Sequence, residues 1–66
     1  MIIGYSEPTL WAMIAKQLGE IQSEHDWAVH YKHTGEVECV EDCVRNILDS
    51  CTAILESIEH LKGEKL

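Results

Sequence analysis

Between Val37 and Leu61 the apolar residues Val37, Val40, Val44, Ile47, Cys51, Ile54, Ile58 and Leu61 follow one another at spacings of 3, 4, 3, 4, 3, 4 and 3. A strand would need a period of 2; an unbroken alternation of 3 and 4 is the a/d seam of an amphipathic helix. Leu48 and Leu55 widen the stripe on one side, and Asp42, Asp49 and Glu56 form an acidic row away from it. Charge agrees with the helix direction. Glu36, Glu38, Glu41 and Asp42 crowd the N-terminal turns, while His60, Lys62 and Lys65 sit at the other end, each sign where the helix dipole favours it. Glu41 and Arg45 add a favourable i,i+4 pair.

A second helix is signalled upstream. Ser6 is a good N-cap, Glu7 suits the positive end of the dipole, and Pro8 falls in the first turn, where a missing N–H costs nothing. Trp11, Ile14, Leu18, Ile21, His25 and Ala28 then recur at spacings of 3 and 4, broadened by Leu10, Ala15 and Val29. His30, Lys32 and His33 place potential positive charge on the last turn, and Gly35 is the stop. The expected fold is therefore all-α. A single domain over residues 1–66 has helix 1 at about 7–32, a turn at about 33–35 and helix 2 at about 36–62. So short a connection forces an antiparallel αα-hairpin, each arm roughly 35–40 Å at 1.5 Å per residue. Met1 to Tyr5 is an apolar lead-in, placed to fold over the hairpin end or to add to an interface.

Two helices alone do not cover stripes this wide, and a chain of 66 residues has little surface with which to build a core. The economical solution is pairing of hairpins into a four-helix bundle, as a homodimer or larger assembly. The expected contact residues are Trp11, Ile14, Leu18, Ile21, His25, Val44, Ile47, Leu48, Cys51, Ile54, Leu55 and Ile58. His25 then sits among apolar neighbours as a polar residue that sets register or partner choice.

The net charge of -7, with no basic run, opposes direct binding to nucleic acid or to an anionic membrane, whose affinity rests on cationic contacts to phosphate. It suits a protein partner, a basic one in particular. No stretch approaches the length of a membrane span, and the N-terminal MIIGYSEP lacks a basic segment ahead of a sufficient apolar run, so a cytoplasmic, reducing setting is expected. Three cysteines cannot all pair within one chain. Cys39 and Cys43, four apart on a helix, have Cβ atoms ~5–6 Å apart, beyond the ~3.5–4.5 Å of a disulfide.

Chemistry concentrates near the turn. His30 and His33 are one helical turn apart, as are Cys39 and Cys43, so a four-ligand zinc set is the metal site to test, although the tight C-x2-C knuckle is absent. The same residues also read plainly as histidines at a helix C-terminus and cysteines as small core residues. Nucleophilic use of Cys39 is opposed by Glu36, Glu38 and Asp42, which disfavour a thiolate. Trp27 and Tyr31, one turn apart on the outer side of helix 1, have the character of a contact site.

The segments Gln17-Leu18-Gly19-Glu20 with Glu24, and Glu38-Cys39-Val40-Glu41-Asp42, are faintly similar to the paired acidic helices of MazG-like nucleotide pyrophosphohydrolases. That family holds magnesium with an E-x-x-E helix and an E-x-x-D helix. Here the first pair reads Q-x-x-E and the second E-x-x-E, so two of the four positions depart. The resemblance implies magnesium-dependent nucleotide hydrolysis as the alternative activity. The residues themselves favour a small acidic, non-catalytic adaptor, regulator or inhibitor with no cofactor. It would act as a self-associated bundle and meet its protein partner through Trp27, Tyr31, Asp42, Asp49 and Glu56.

Overall fold

The structure is a computed structural model and describes residues 6–63. It contains two helices, α1 over Glu7–Thr34 and α2 over Val37–Gly63, packed against each other as an antiparallel hairpin 51 × 17 × 15 Å in extent. Among the described residues there is no strand, and no helix is long and apolar enough to cross a membrane. Met1–Tyr5, the apolar lead-in, lies outside the described residues.

Both ends of α1 are held as the local chemistry requires. Ser6 is extended, and its hydroxyl accepts from the Thr9 backbone N–H at 3.3 Å, satisfying one of the orphan donors of the first turn. At the other end Gly35 adopts φ 78°, the left-handed conformation that side chains resist. Its N–H donates to the Lys32 carbonyl at 3.3 Å, and the Glu36 N–H donates to the Tyr31 carbonyl at 3.0 Å. These two bonds form a Schellman cap. The Thr34 hydroxyl lies 3.0 Å from the Tyr31 carbonyl and 2.8 Å from the Glu36 carboxylate, tying the cap to the next helix. Because this cap recruits Thr34, α1 runs two residues beyond the expected 32, and the turn shrinks to Gly35 and Glu36. The Glu36 carbonyl already accepts from the Val40 N–H at 3.1 Å, so α2 begins at once.

The core lies towards the open end of the hairpin. Leu10 is fully buried, Ile14 and Leu61 nearly so, and Ile54 and Ile58 pack against them. Further along, the seam of α1 continues through Gln17, Ile21, Glu24, Ala28 and Tyr31, all half-buried. The matching line on α2 is Cys43, Ile47, Ser50, Ile54, Ser57 and Leu61, at spacings of 4, 3, 4, 3 and 4. Cys43, Ser50 and Ser57 are buried there and are small, so the two backbones can approach closely along much of their length. Asn46 reaches across to donate to the Glu24 carboxylate at 3.3 Å, which fixes the register with Glu24 opposite Asn46.

This seam corrects the expected one. Of the stripe Val37, Val40, Val44, Ile47, Cys51, Ile54, Ile58 and Leu61, the residues Val40, Ile47, Ile54 and Leu61 fall on the line facing α1, and Ile58 packs against the core beside it. Val37 and Val44 are exposed, as are the flanking Leu48 and Leu55. The reason is that α2 carries two interleaved heptad lines displaced by one residue. The helix pair closes on the line of small side chains, and the line of large ones is turned aside.

Candidate interaction faces

Displacement by one residue rotates a helical position by about 100°. Because α1 and α2 are antiparallel, the same one-residue step carries positions on both helices to the same side of the hairpin. On α1 those positions hold Trp11, Leu18, His25 and Val29; on α2 they hold Val37, Val44, Leu48, Cys51, Leu55 and Ile58. Trp11 is 55% exposed, Leu18 54%, Val37 77%, Val44 54%, Leu48 62% and Leu55 61%. Cys51 and Ile58 are half-buried. Sealing a Val or Leu side chain completely is worth roughly 1.5–3 kcal/mol. Six large side chains left more than half exposed along one face are therefore a substantial unspent driving force. At the turn end the face dips into an apolar hollow of about 350 Å³ lined by Tyr31, Lys32, Gly35, Val37, Val40 and Glu41.

A step of one residue the other way reaches the opposite face. There α1 presents Met13, Lys16, Glu20, Ser23, Trp27 and His30, and α2 presents Asp42, Asn46, Asp49, Ala53 and Glu56. A polar groove runs between the helices, lined by Lys16, Glu20, Glu24, Asn46 and Asp49 among others. Towards the turn it meets a second hollow of about 270 Å³ formed by Glu24, Trp27, Tyr31, Cys39, Asp42, Cys43 and Asn46. The Trp27 and Tyr31 rings stack with centroids 5.8 Å apart and an interplanar angle of 25°. His30 closes the cluster with edge contacts to both, at 5.8 Å and 5.4 Å. Trp27 is 55% exposed, whereas Tyr31 is half-buried and belongs to the α1 seam.

The expected contact residues thus divide between two faces. Trp27, Tyr31 and Asp42 meet in one hollow, with Asp49 further along the groove and Glu56 further still on the same side. Of the expected self-association set, Ile14 is taken up by the core. Ile21, Ile47, Ile54 and Ile58 are partly covered, while Trp11, Leu18, Val44, Leu48 and Leu55 remain outside. His25 is exposed rather than buried, with its Nδ1 3.4 Å from the Asp26 carboxylate. What pattern reading overlooked was the small-residue line of Cys43, Ser50 and Ser57. Its signal was present in their spacing, but hydrophobicity alone ranks serine as surface.

Neither metal arrangement assembles. His30 is exposed and occupied edge-on against Trp27 and Tyr31, His33 is exposed at the last turn of α1, Cys39 is half-buried and Cys43 is buried. Among the described residues no group of three or more His, Cys, Asp or Glu side chains could hold a metal ion, which covers the zinc set and the acidic helices of the magnesium alternative alike. Glu20 lies in the groove, whereas Glu41 on the far side of α2 accepts from Arg45 at 2.8 Å. All three cysteines are free thiols. Burial, then Glu36, Asp42 and Glu38, push the Cys39 thiol above its ordinary range; burial and a hydrogen bond to Glu24 do the same for Cys43. Both shifts oppose the thiolate that a nucleophile or metal ligand needs. Tyr31 is raised as well, by burial first and then by the neighbouring thiols and carboxylates.

Comparison with protein-family models, with curated proteins and with solved structures finds no match to this chain.

Proposed function

We propose that the protein is a small, acidic, non-catalytic interaction module that pairs through its apolar face and offers its acidic face to a basic protein partner. One observation carries this reading: Trp11, Leu18, Val37, Val44, Leu48 and Leu55 stand more than half exposed on one face of the hairpin, while Asp42, Asp49 and Glu56 of α2 lie on the other. Pairing through the face of Leu18, Val44, Leu48 and Leu55 would complete a four-helix bundle and leave Asp42, Asp49 and Glu56 of both copies pointing away from each other. Like charges on a chain of net charge -7 then stay apart, which favours a second copy as the occupant of the apolar face. On the acidic face the stacked Trp27 and Tyr31 supply rigid aromatic area beside Glu24 and Asp42. That chemistry suits an arginine or lysine side chain, held by ion pairing together with ring-face contact.

The test uses an arginine-rich peptide as probe, read by Trp27 emission in a Trp11→Phe background. Binding should change the emission and weaken with salt. Trp27→Ala and Asp42→Asn, followed by calorimetry, should each reduce affinity at least several-fold while leaving helix content unchanged. Equal affinity in the parent and both variants would remove Trp27 and Asp42 from the contact.

A further inference from the structure

We infer that the second copy lies head-to-tail on the apolar face, so that Trp11 of each chain fills the hollow beside Gly35 of the other. The inference rests on the self-pairing proposed above and adds its direction. Two symmetric arrangements stack the faces. One keeps the two turns at the same end; the other reverses one hairpin about a two-fold axis crossing the middle of the rod.

Charge is compatible with reversal. The turn end carries Glu36, Glu38, Glu41 and Asp42 against Lys32 and Arg45, and the open end carries Glu7, Glu56 and Glu59 against Lys62. Reversal sets Lys62 of each copy near Glu36 and Glu41 of the other, an opposite-charge contact that a cross-link can read.

Shape separates the two arrangements. The register of Glu24 opposite Asn46 puts Ile21 level with Asp49, near the middle of the hairpin. Glu36 and Lys62 each lie 13 residues from Asp49, so an axis at that level brings them side by side. The same axis carries Trp11, 10 residues from Ile21, to the level of Lys32, 11 residues away on the other side. Lys32 lines the apolar hollow of about 350 Å³. Trp11 is a large side chain 55% exposed at the open end of the face, with its indole N–H donating to Glu7 at 3.4 Å. A protrusion at one end of a face and a hollow at the other, equidistant from the centre, form a self-complementary surface only when the copy is reversed.

Zero-length carbodiimide cross-linking followed by peptide mass spectrometry reads the direction, and native mass spectrometry of the same sample reads the assembly. Within one chain Lys62 lies roughly 39 Å along α2 from Glu36 and roughly 32 Å from Glu41 at 1.5 Å per residue, out of reach of a direct amide. Links from Lys62 to Glu36, Glu38 or Glu41 in a dimer are the expected result. A dimer that links Lys62 only to Glu7 would overturn the reversed arrangement while leaving pairing intact, whereas a monomeric mass would remove both. Trp11→Ala, at a site exposed in the single chain, should raise the dimer dissociation constant at least tenfold with helix content preserved. A dimer indifferent to that change would contradict the filling of the hollow.

Discussion

Gly35 shows how much a single position decides. Its left-handed backbone at φ 78° turns α1 into α2 with only one further residue, and the cap formed with Glu36 sets where α2 starts. There is open space for a Cβ at Gly35, so a substitution there is resisted by backbone conformation alone. Gly35→Ala should therefore cost about 1–2 kcal/mol, the penalty of a left-handed L-residue. Urea denaturation at one fixed protein concentration measures it, and a loss below a few tenths of a kcal/mol would mean that the turn is not held as described. This residue was legible from sequence, as were Ser6 and Pro8, because caps depend on chemistry within a few positions of the chain. The placement of Tyr31 was not. Its ring joins Trp27 on the acidic side while its position belongs to the seam, and that choice depends on what α2 presents opposite it.

On the scale of the helix, α2 carries two readable seams, and pattern alone favoured the one with larger side chains. Helices pack by how closely their surfaces fit, so Cys43, Ser50 and Ser57 went inward, and Val44, Leu48 and Leu55 were displaced onto a second face. Existence and direction of the helix followed from periodicity; its rotation about its own axis required the partner helix. The distinction can be measured. Leu10→Ala removes the fully buried member of the core and should destabilise by roughly 2–5 kcal/mol at any protein concentration. Leu48→Ala should cost little where the chain is dilute and single, and should lower the melting temperature progressively as concentration rises, by mass action on the paired state. Circular dichroism melts at two concentrations a hundredfold apart separate the cases. A Leu48→Ala penalty independent of concentration would place Leu48 inside the single hairpin.

For the whole molecule, the decisive property is the sorting of surface types. One long side of the rod carries the exposed apolar residues Trp11, Leu18, Val37, Val44, Leu48 and Leu55, and the other carries the acidic row from Glu56 to Asp42, ending in the Trp27 and Tyr31 stack. Net charge and the acidic row of α2 were visible in the sequence, but the joining of Asp42 to that stack needed the register set by Glu24 and Asn46. The zinc set depends on rotation in the same way. One-turn spacings bring His30 towards His33 and Cys39 towards Cys43, yet helix rotation leaves His33 exposed, sets His30 against Trp27 and Tyr31, and buries Cys43. Association of two proteins costs an estimated 4–15 kcal/mol in lost freedom and ordering. Six side chains already partly covered recover, as a set, on the order of 5–10 kcal/mol at the per-residue value for Val and Leu. The two magnitudes overlap, so pairing should depend visibly on concentration.

Sedimentation equilibrium between about 1 and 100 μM, at moderate salt and with thiols kept reduced, tests the central claim most directly. A mass rising to at least twice the 7.5 kDa of one chain, with helix content retained throughout, is the expected result. A helical species that holds 7.5 kDa across the whole range would show that the apolar face is not a pairing surface, and the account would be contradicted.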